Sequence, residues 1–415
     1  MSMTPTSSTL LDAGDDDASA LSRGTPAAAR IVFRLLRGLA HGTLDVQWPD
    51  GGAIRFGSGA APHAAIRLRN WHVCAATLQS GDIGFADSYL DGDWSTPDLV
   101  ALLALFAANR ERIESMFYGS WWGALLHRLR HAFNRNTRAG SRKNIHAHYD
   151  LGNAFYRLWL DETMNYSSAW FDGDFSGDLA SAQQAKVRRV LDRCGLRRGA
   201  RLLEIGCGWG AVAETAAGEL DAQVVGVTLS NQQLAHARKR MARAGLQADL
   251  RLQDYRDIDD GPFDAIVSIE MFEAVGREYW PVFFERLRGL LKPGGRACIQ
   301  SITIRDDLFG RYVRSTDFIQ QYVFPGGLLP SRSAFRAQAA RAGLVIDDEF
   351  AFGADYAETL RRWRAAFLSN DAHVRSLGFD GRFMRLWEFY LAYCEAAFVT
   401  GNTDVVQFTL RRERC

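Results

Sequence analysis

A chain of 415 residues with 47% hydrophobic and 12% aromatic residues and a formal net charge of +1 is too long for one core, and reads as two or three ordinary globular domains. A sequence pI of 7.7 argues against nucleic acid as a partner, because such domains carry a marked basic excess. The six cysteines, Cys74, Cys194, Cys207, Cys298, Cys394 and Cys415, have no paired spacing. That argues against a disulfide framework and a metal site, and for a reducing cytoplasm. No stretch reaches the ~18–20 apolar residues a membrane span needs.

Residues 1–28, rich in Ser, Thr and Ala and holding Asp15-Asp16-Asp17, lack a basic start and an apolar core. They read as a disordered tail rather than a secretion signal. From 29 to 126 the pattern is that of a small α+β domain. Gly42-Thr43-Leu44-Asp45-Val46 and Ala65-Ile66-Arg67-Leu68 read as short strands between glycine turns, and a helix starts at Thr96. Residues 127–144 then hold Arg128, Arg130, Arg135, Arg138, Arg142 and Lys143 with no acidic residue. Two readings stay open: attraction to an anionic membrane surface, on the order of 1 kcal/mol per basic residue held near it, or a solvated linker.

From 145 to 415 strand and helix patterns alternate as one doubly wound α/β domain requires. Apolar runs at 201–205, 223–229, 263–269 and 296–302 read as buried parallel strands, with helices over 210–219, 230–244 and 279–291. Lys292-Pro293-Gly294-Gly295 stops the third helix and turns the chain into the next strand. The first strand runs into Glu204-Ile205-Gly206-Cys207-Gly208-Trp209-Gly210. Three glycines there let backbone approach a ligand where a side chain would collide. A dinucleotide fingerprint would want a carboxylate at the end of the next strand, which reads Val225-Gly226-Val227-Thr228. The loop therefore favours an S-adenosylmethionine methyltransferase, with Glu204 in the place such loops give an acidic residue, over a nicotinamide enzyme or a purely structural turn.

Further motifs lie in order along this half: His146-Ala147-His148-Tyr149-Asp150-Leu151-Gly152-Asn153, Met164-Asn165-Tyr166-Ser167-Ser168-Ala169-Trp170-Phe171, Ala182-Gln183-Gln184-Ala185-Lys186, Gly226-Val227-Thr228-Leu229-Ser230, Gln253-Asp254-Tyr255-Arg256-Asp257, Met271-Phe272-Glu273, Tyr322-Val323-Phe324-Pro325-Gly326-Gly327 and Phe352-Gly353-Ala354-Asp355-Tyr356. From about 145 to 412 the pattern resembles the cyclopropane-fatty-acyl-phospholipid synthase family, which includes the mycolic acid methyltransferases. The N-terminal domain matches loosely, at Ala86-Asp87-Ser88-Tyr89-Leu90-Asp91-Gly92-Asp93-Trp94. In this family that domain looks like the part that engages lipid and supports a homodimer.

The resemblance implies a class I methyltransferase sheet and transfer of the S-adenosylmethionine methyl to the double bond of an acyl chain in membrane phospholipid. The enzyme would then be cytoplasmic and peripheral to the inner membrane face. It assigns cofactor contacts to Tyr166, Ser167, Glu204, Gly206, Gly208, Gly210, Thr228, Leu229, Gln233, Tyr255 and Arg256. Ring-forming relatives are thought to use a bicarbonate as proton acceptor, and its ligand positions fall here on Ser168, Glu273, Gln300, Ile302 and Tyr356. Glutamate, isoleucine and tyrosine match the family, whereas a cysteine has become Ser168, a histidine Gln300, and a further histidine Ala274. Gln300 hydrogen-bonds but cannot carry a histidine's charge. Ring closure, proton loss to a methyl-branched olefin, and later reduction to a methyl branch all stay open, as does an inert lipid-binding relative.

Three other residue groups have two readings each. Cys394 aligns with a cysteine proposed as catalytic in some relatives, yet its apolar neighbours favour a packed helix cysteine. Glu273 reads as a site residue over a helix cap, since it follows a strand's carboxyl end. Trp159, Phe324 and Trp363 line an acyl channel or fill the core.

Overall fold

A computed structural model of the chain describes residues 11–12, 24–113 and 151–414. The basic stretch 127–144 and His146 to Asp150 lie outside the described residues, as does most of the expected tail. The helix Ala27–Leu36 begins within that expected tail. The chain forms two compact units, and neither is continuous in sequence. One holds the described residues of Met1–Arg130 with Ser315–Gln321 and Phe379–Thr400, and the other those of His131–Arg314, Tyr322–Gly378 and Gly401–Cys415. The boundary expected at 145 therefore leaves out two later segments that return to the first unit.

In the first unit, strands β1 (Leu11–Asp12), β2 (Thr43–Gln47), β3 (Ala53–Gly57), β4 (His63–Leu68) and β5 (Trp94–Ser95) form a sheet in the order β1-β3-β2-β4-β5. The expected helix near Thr96 is Leu99–Ala108, capped by Asp98, whose carboxylate accepts from Ala101 N at 3.0 Å. Its uniformly apolar sequence is mostly buried, and it packs against the helix Gly381–Val399. Cys394 lies on that second helix, in the unit without the glycine loop. Burial and the nearby Asp317 push its thiol up, the opposite of what a thiolate nucleophile needs.

The second unit is built on β6 (Arg201–Ile205), β7 (Gln223–Thr228), β8 (Asp249–Leu252), β9 (Phe263–Ile269), β10 (Leu291–Ile304), β11 (Leu344–Ala351) and β12 (Thr403–Arg412), in the order β11-β12-β10-β9-β6-β7-β8. From β10 to β8 all neighbours are parallel, and β12 runs antiparallel to both β10 and β11. The four expected strands are present. The fourth extends back through Lys292-Pro293-Gly294-Gly295, across a register shift between Leu291 and Arg296. Central strands read as unbroken apolar runs because both faces are covered. One face carries Val187, Val212, Ala216 and Leu234, and the other an aromatic layer of Phe272, Trp280, Phe283, Phe284, Phe335 and Phe408.

Phe335 is fully buried and stacks on Phe408 with ring centroids 3.9 Å apart. Phe335→Ala is expected to cost ~3–5 kcal/mol of stability, because a large ring leaves a cavity that close-packed neighbours cannot fill. A melting temperature equal to wild type would show that this face tolerates the void.

Candidate active site

At the carboxyl end of β6 the chain turns through Gly206 (φ +88°), Gly208 (φ +49°) and Gly210 (φ +88°), backbone conformations that side chains rarely tolerate. A Cβ on Gly206 would come within 3.0 Å of the Met271 side chain, whereas one on Gly208 would meet nothing within 4 Å. Space above Gly208 is open, and the loop then starts the helix Ala211–Leu220, whose N-terminus favours negative charge. Glu204, on β6, is buried, and one carboxylate oxygen has no hydrogen-bond partner among the described residues. Burial pushes it up to about 8. At the end of β7, Thr228 Oγ1 donates to Gln233 Oε1 at 2.9 Å and accepts from Ser230 N at 3.2 Å, and Leu229 follows, half-buried. Arg256 makes a two-point ion pair with Asp254, at 2.8 and 2.6 Å, and Tyr255 packs on Phe283. A glycine facing open space, an orphaned buried carboxylate and nearby hydroxyl and amide groups fit a nucleoside–amino acid cofactor.

Beside this cradle Glu270 stands at the carboxyl end of β9 with φ +49°, a conformation rare for a glutamate. Its carboxylate accepts from Ser168 N (2.9 Å), Gln300 Nε2 (2.8 Å) and Tyr356 Oη (2.6 Å). Three of the five residues aligned with a bicarbonate pocket thus donate to a side chain of the protein. Ser168 does so through its amide, since its hydroxyl donates to Ala169 O at 2.9 Å. Glu273 lies apart from that convergence. Its Oε1 accepts from Ser301 Oγ at 2.9 Å and Ile302 N at 2.5 Å, and its Oε2 is buried without a partner among the described residues.

Burial raises both carboxyls, but unequally. Glu270 is held down by Tyr356, Lys186, Ser168 and Gln300, whereas Glu273 feels burial and then the charge of Glu270 and reaches about 8. The two carboxyls are therefore unlike: four neighbours favour the charged form of Glu270, whereas Glu273 is held toward its neutral form. Lys186, fully buried, donates to Ser167 Oγ at 2.5 Å and faces Glu270, Asp161 and Glu204; burial lowers it to about 8. It lies between Ser167 and Glu204 on one side and Glu270 on the other. Against them Tyr166 packs with Tyr156, Trp159 and Trp363 at centroid separations of 5.3–5.6 Å, and Trp363 meets Tyr356 at 6.2 Å.

The structure thus brings Tyr166, Ser167, Ser168, Gln300 and Tyr356 to one place, together with Glu270 and Lys186, two residues the sequence reading did not single out. Lys186 lay in a quoted motif, and Glu270 was an acidic residue at a strand's carboxyl end. Either was a visible signal, but only the fold shows that they meet. Trp159 and Trp363, at 2% and 0% exposure, are core residues and site walls at once.

Sheet order, glycine loop and cradle define a class I S-adenosylmethionine-dependent methyltransferase. A profile of the family "Mycolic acid cyclopropane synthetase" matches residues 136–408, and the chain belongs to that family. It is 39% identical to tuberculostearic acid methyltransferase UfaA1 of Mycobacterium tuberculosis, over 93% of this chain and 92% of that protein. It is 35% identical to cyclopropane-fatty-acyl-phospholipid synthase of Escherichia coli, over 86% of this chain and 89% of the relative. Among solved structures, mycolic acid cyclopropane synthase CmaA1 complexed with SAH and CTAB superimposes with a TM-score of 0.61 at 34% identity, covering 65% of this chain and 98% of that one. The donor of this enzyme is S-adenosylmethionine.

Gly208→Ala tests the cradle. A methyl there strikes no protein atom and adds only a left-handed backbone cost of about 1 kcal/mol, yet it intrudes where the cofactor must approach. Calorimetric affinity for S-adenosylmethionine is expected to fall at least tenfold with little change in melting temperature. Unchanged affinity would remove the loop from the site.

Proposed function

We propose that this enzyme alkylates the double bond of unsaturated acyl chains in phospholipid, and that Glu270 is the base that takes the proton released when the product forms. The observation that carries the reading is the convergence of Ser168, Gln300 and Tyr356 on the Glu270 carboxylate. S-adenosylmethionine, when bound, supplies an electrophilic methyl group. Tyr166, Ser167, Glu204, Gly206, Gly208, Gly210, Thr228, Leu229, Gln233, Tyr255 and Arg256 are the residues proposed to hold it.

An alkene is a weak nucleophile, so the chain must hold the double bond at near-attack distance and keep water out. The rings of Tyr156, Trp159, Tyr166 and Trp363 supply apolar walls whose π faces favour the cation left on the acyl chain. That cation must lose a proton. Loss from the added methyl with closure of the C–C bond gives a cyclopropane, and loss after a hydride shift gives a methylene branch. Either way Glu270 gains the proton, becomes a neutral acid and returns it to water. Its donors favour the ionised form between turnovers, and Lys186 balances the charge. Glu273, neutral and bound to Ser301 and Ile302, positions the turn on which Glu270 sits. A phospholipid substrate draws support from the Escherichia coli relative, and a branched product from UfaA1.

Labelled donor and unsaturated phospholipid vesicles, with lipid products read by mass and by the upfield cyclopropane protons, test the reading. A gain of one CH₂ with the cyclopropane signal marks ring closure; the same gain with vinylidene protons marks a methylene branch; no gain marks an inert relative. Binding to anionic vesicles that weakens with salt would add support for a peripheral membrane site.

Glu270→Gln is expected to lower kcat at least ~100-fold, the scale of a lost general base, in buffers stripped of bicarbonate as well as in its presence. Glu273→Gln, an isostere of an already neutral acid, is expected to cost under tenfold. A larger loss at Glu273 than at Glu270, with activity restored by added bicarbonate, would return the base to a bound anion.

The pH profile of kcat/KM follows from the same shifts. Glu270 must be ionised to act and its acidity is weakened by burial, so activity is expected to fall with acid already above the ordinary glutamate value of about 4.3. A second fall is expected above about 8, where Lys186 loses and Glu273 gains charge. A profile flat from pH 5 to 9 would be inconsistent with either assignment.

A further inference from the structure

Glu270 is the end of a longer chain of hydrogen bonds. Gln300 Nε2 donates to Glu270 at 2.8 Å, and Gln300 Oε1 accepts from Gln407 Nε2 at 3.0 Å. Gln407 Oε1 in turn accepts from the guanidinium of Arg189. Gln300 and Gln407 are direct register partners on β10 and β12, and Gln300 pairs with Ile269 beside Glu270 on β9. Both glutamines are fully buried, and Arg189 is only 8% exposed on the helix Leu179–Arg193. Two buried amides in the middle of a sheet need a reason, since apolar residues would fill the space without any hydrogen-bond demand.

We propose that Arg189 and Gln407 are positioning residues for the reaction, which fix the polarity of this chain so that Glu270 is met by a donor and held as an acceptor. The reasoning is directional. An arginine guanidinium has donors only, so it must meet the carbonyl end of Gln407. That turns the amide nitrogen of Gln407 toward Gln300, whose carbonyl must accept it, and so the nitrogen of Gln300 points to Glu270. Reversing either amide would set two donors, or two acceptors, against each other. The fixed charge of Arg189 thus reaches the base through two neutral groups with no ion pair at the site itself.

The ends are anchored. Arg189 lies 3.7 Å over the Phe350 ring and within 3.5 Å of Asp348, which also meets Arg193 at 3.7 Å; Cys298 lies nearby. Among the described residues, the ionisable groups that act on Glu270 are Tyr356, Lys186 and Glu273.

This inference rests on the reading of Glu270 as the base, and two variants separate the two. Gln407→Leu breaks the chain at similar volume. Gln407→Glu keeps the volume and the contact with Arg189, but the new carboxylate can only accept, so it draws the nitrogen of Gln300 away and leaves a carbonyl facing Glu270. The ionisation midpoint of Glu270 can be read without turnover, as the infrared carboxylic acid band that appears on acidification and is absent from Glu270→Gln. That midpoint and the acid limb of kcat/KM are expected to rise together by about one pH unit in Gln407→Leu, the size of one lost hydrogen bond to a charged group. In Gln407→Glu they are expected to rise further.

A purely structural role predicts the reverse order, with the isosteric variant milder. Unmoved midpoints in folded variants, judged by unchanged affinity for S-adenosylhomocysteine, would overturn the relay. If Gln407→Leu fails to fold, Gln407→Glu decides alone. Full activity in Glu270→Gln would instead sink the base assignment, while the band shift still reports on the chain.

Discussion

A carboxylate held away from water is tolerable only where enough donors replace its lost hydration, and that constraint organises the second unit of this protein. Glu270 gathers a backbone amide, a carboxamide and a phenol, with a buried ammonium close by. Each hydrogen bond to a charged group contributes roughly 1.5–3 kcal/mol, and leaving one unmade costs about as much. The donors come from the segment before the helix Leu179–Arg193, from β10 and from the helix Gly353–Ser369. Elements far apart in sequence are thus tied to one oxygen pair. The second carboxyl, Glu273, shows the other solution to the same problem: with fewer donors and a charge beside it, it keeps its proton.

The central strands of the sheet were legible in the sequence because both faces are buried and their runs are unbroken. The expected spans 201–205 and 263–269 coincide with β6 and β9. β8, β11 and β12 escaped notice for separate reasons. β8 is four residues long with a largely exposed pattern, and β11 is a half-exposed edge. β12 carries Gln407 and Thr409 in its buried centre, which interrupts the apolar pattern. One of these polar residues, Gln407, hydrogen-bonds Gln300 and Arg189.

The candidate site was legible where chemistry is local. A glycine loop shows its purpose in five residues, and Tyr166, Ser168, Gln300 and Tyr356 were placed through motifs. Glu270 was harder to see because alignment with bicarbonate ligands directs attention to Glu273, three residues later. Nothing in a one-dimensional pattern says which of two neighbouring glutamates turns toward a tyrosine from a helix some eighty residues on. The left-handed backbone at Glu270 decides it, and glutamate does not advertise that conformation as glycine would.

The division of the chain has a consequence for how the protein is made. The first unit holds the N-terminal strands and helices, yet also Ser315–Gln321 and Phe379–Thr400, which are synthesised some two hundred residues or more after them. Its apolar helix Leu99–Ala108 is buried in part against Gly381–Val399, so that surface stays exposed while nearly three hundred residues are synthesised. Domain-by-domain folding from the N-terminus is closed to this chain. An aggregation-prone interval is built into its topology, which places a demand on chaperones that a tandem arrangement of the same two units would avoid.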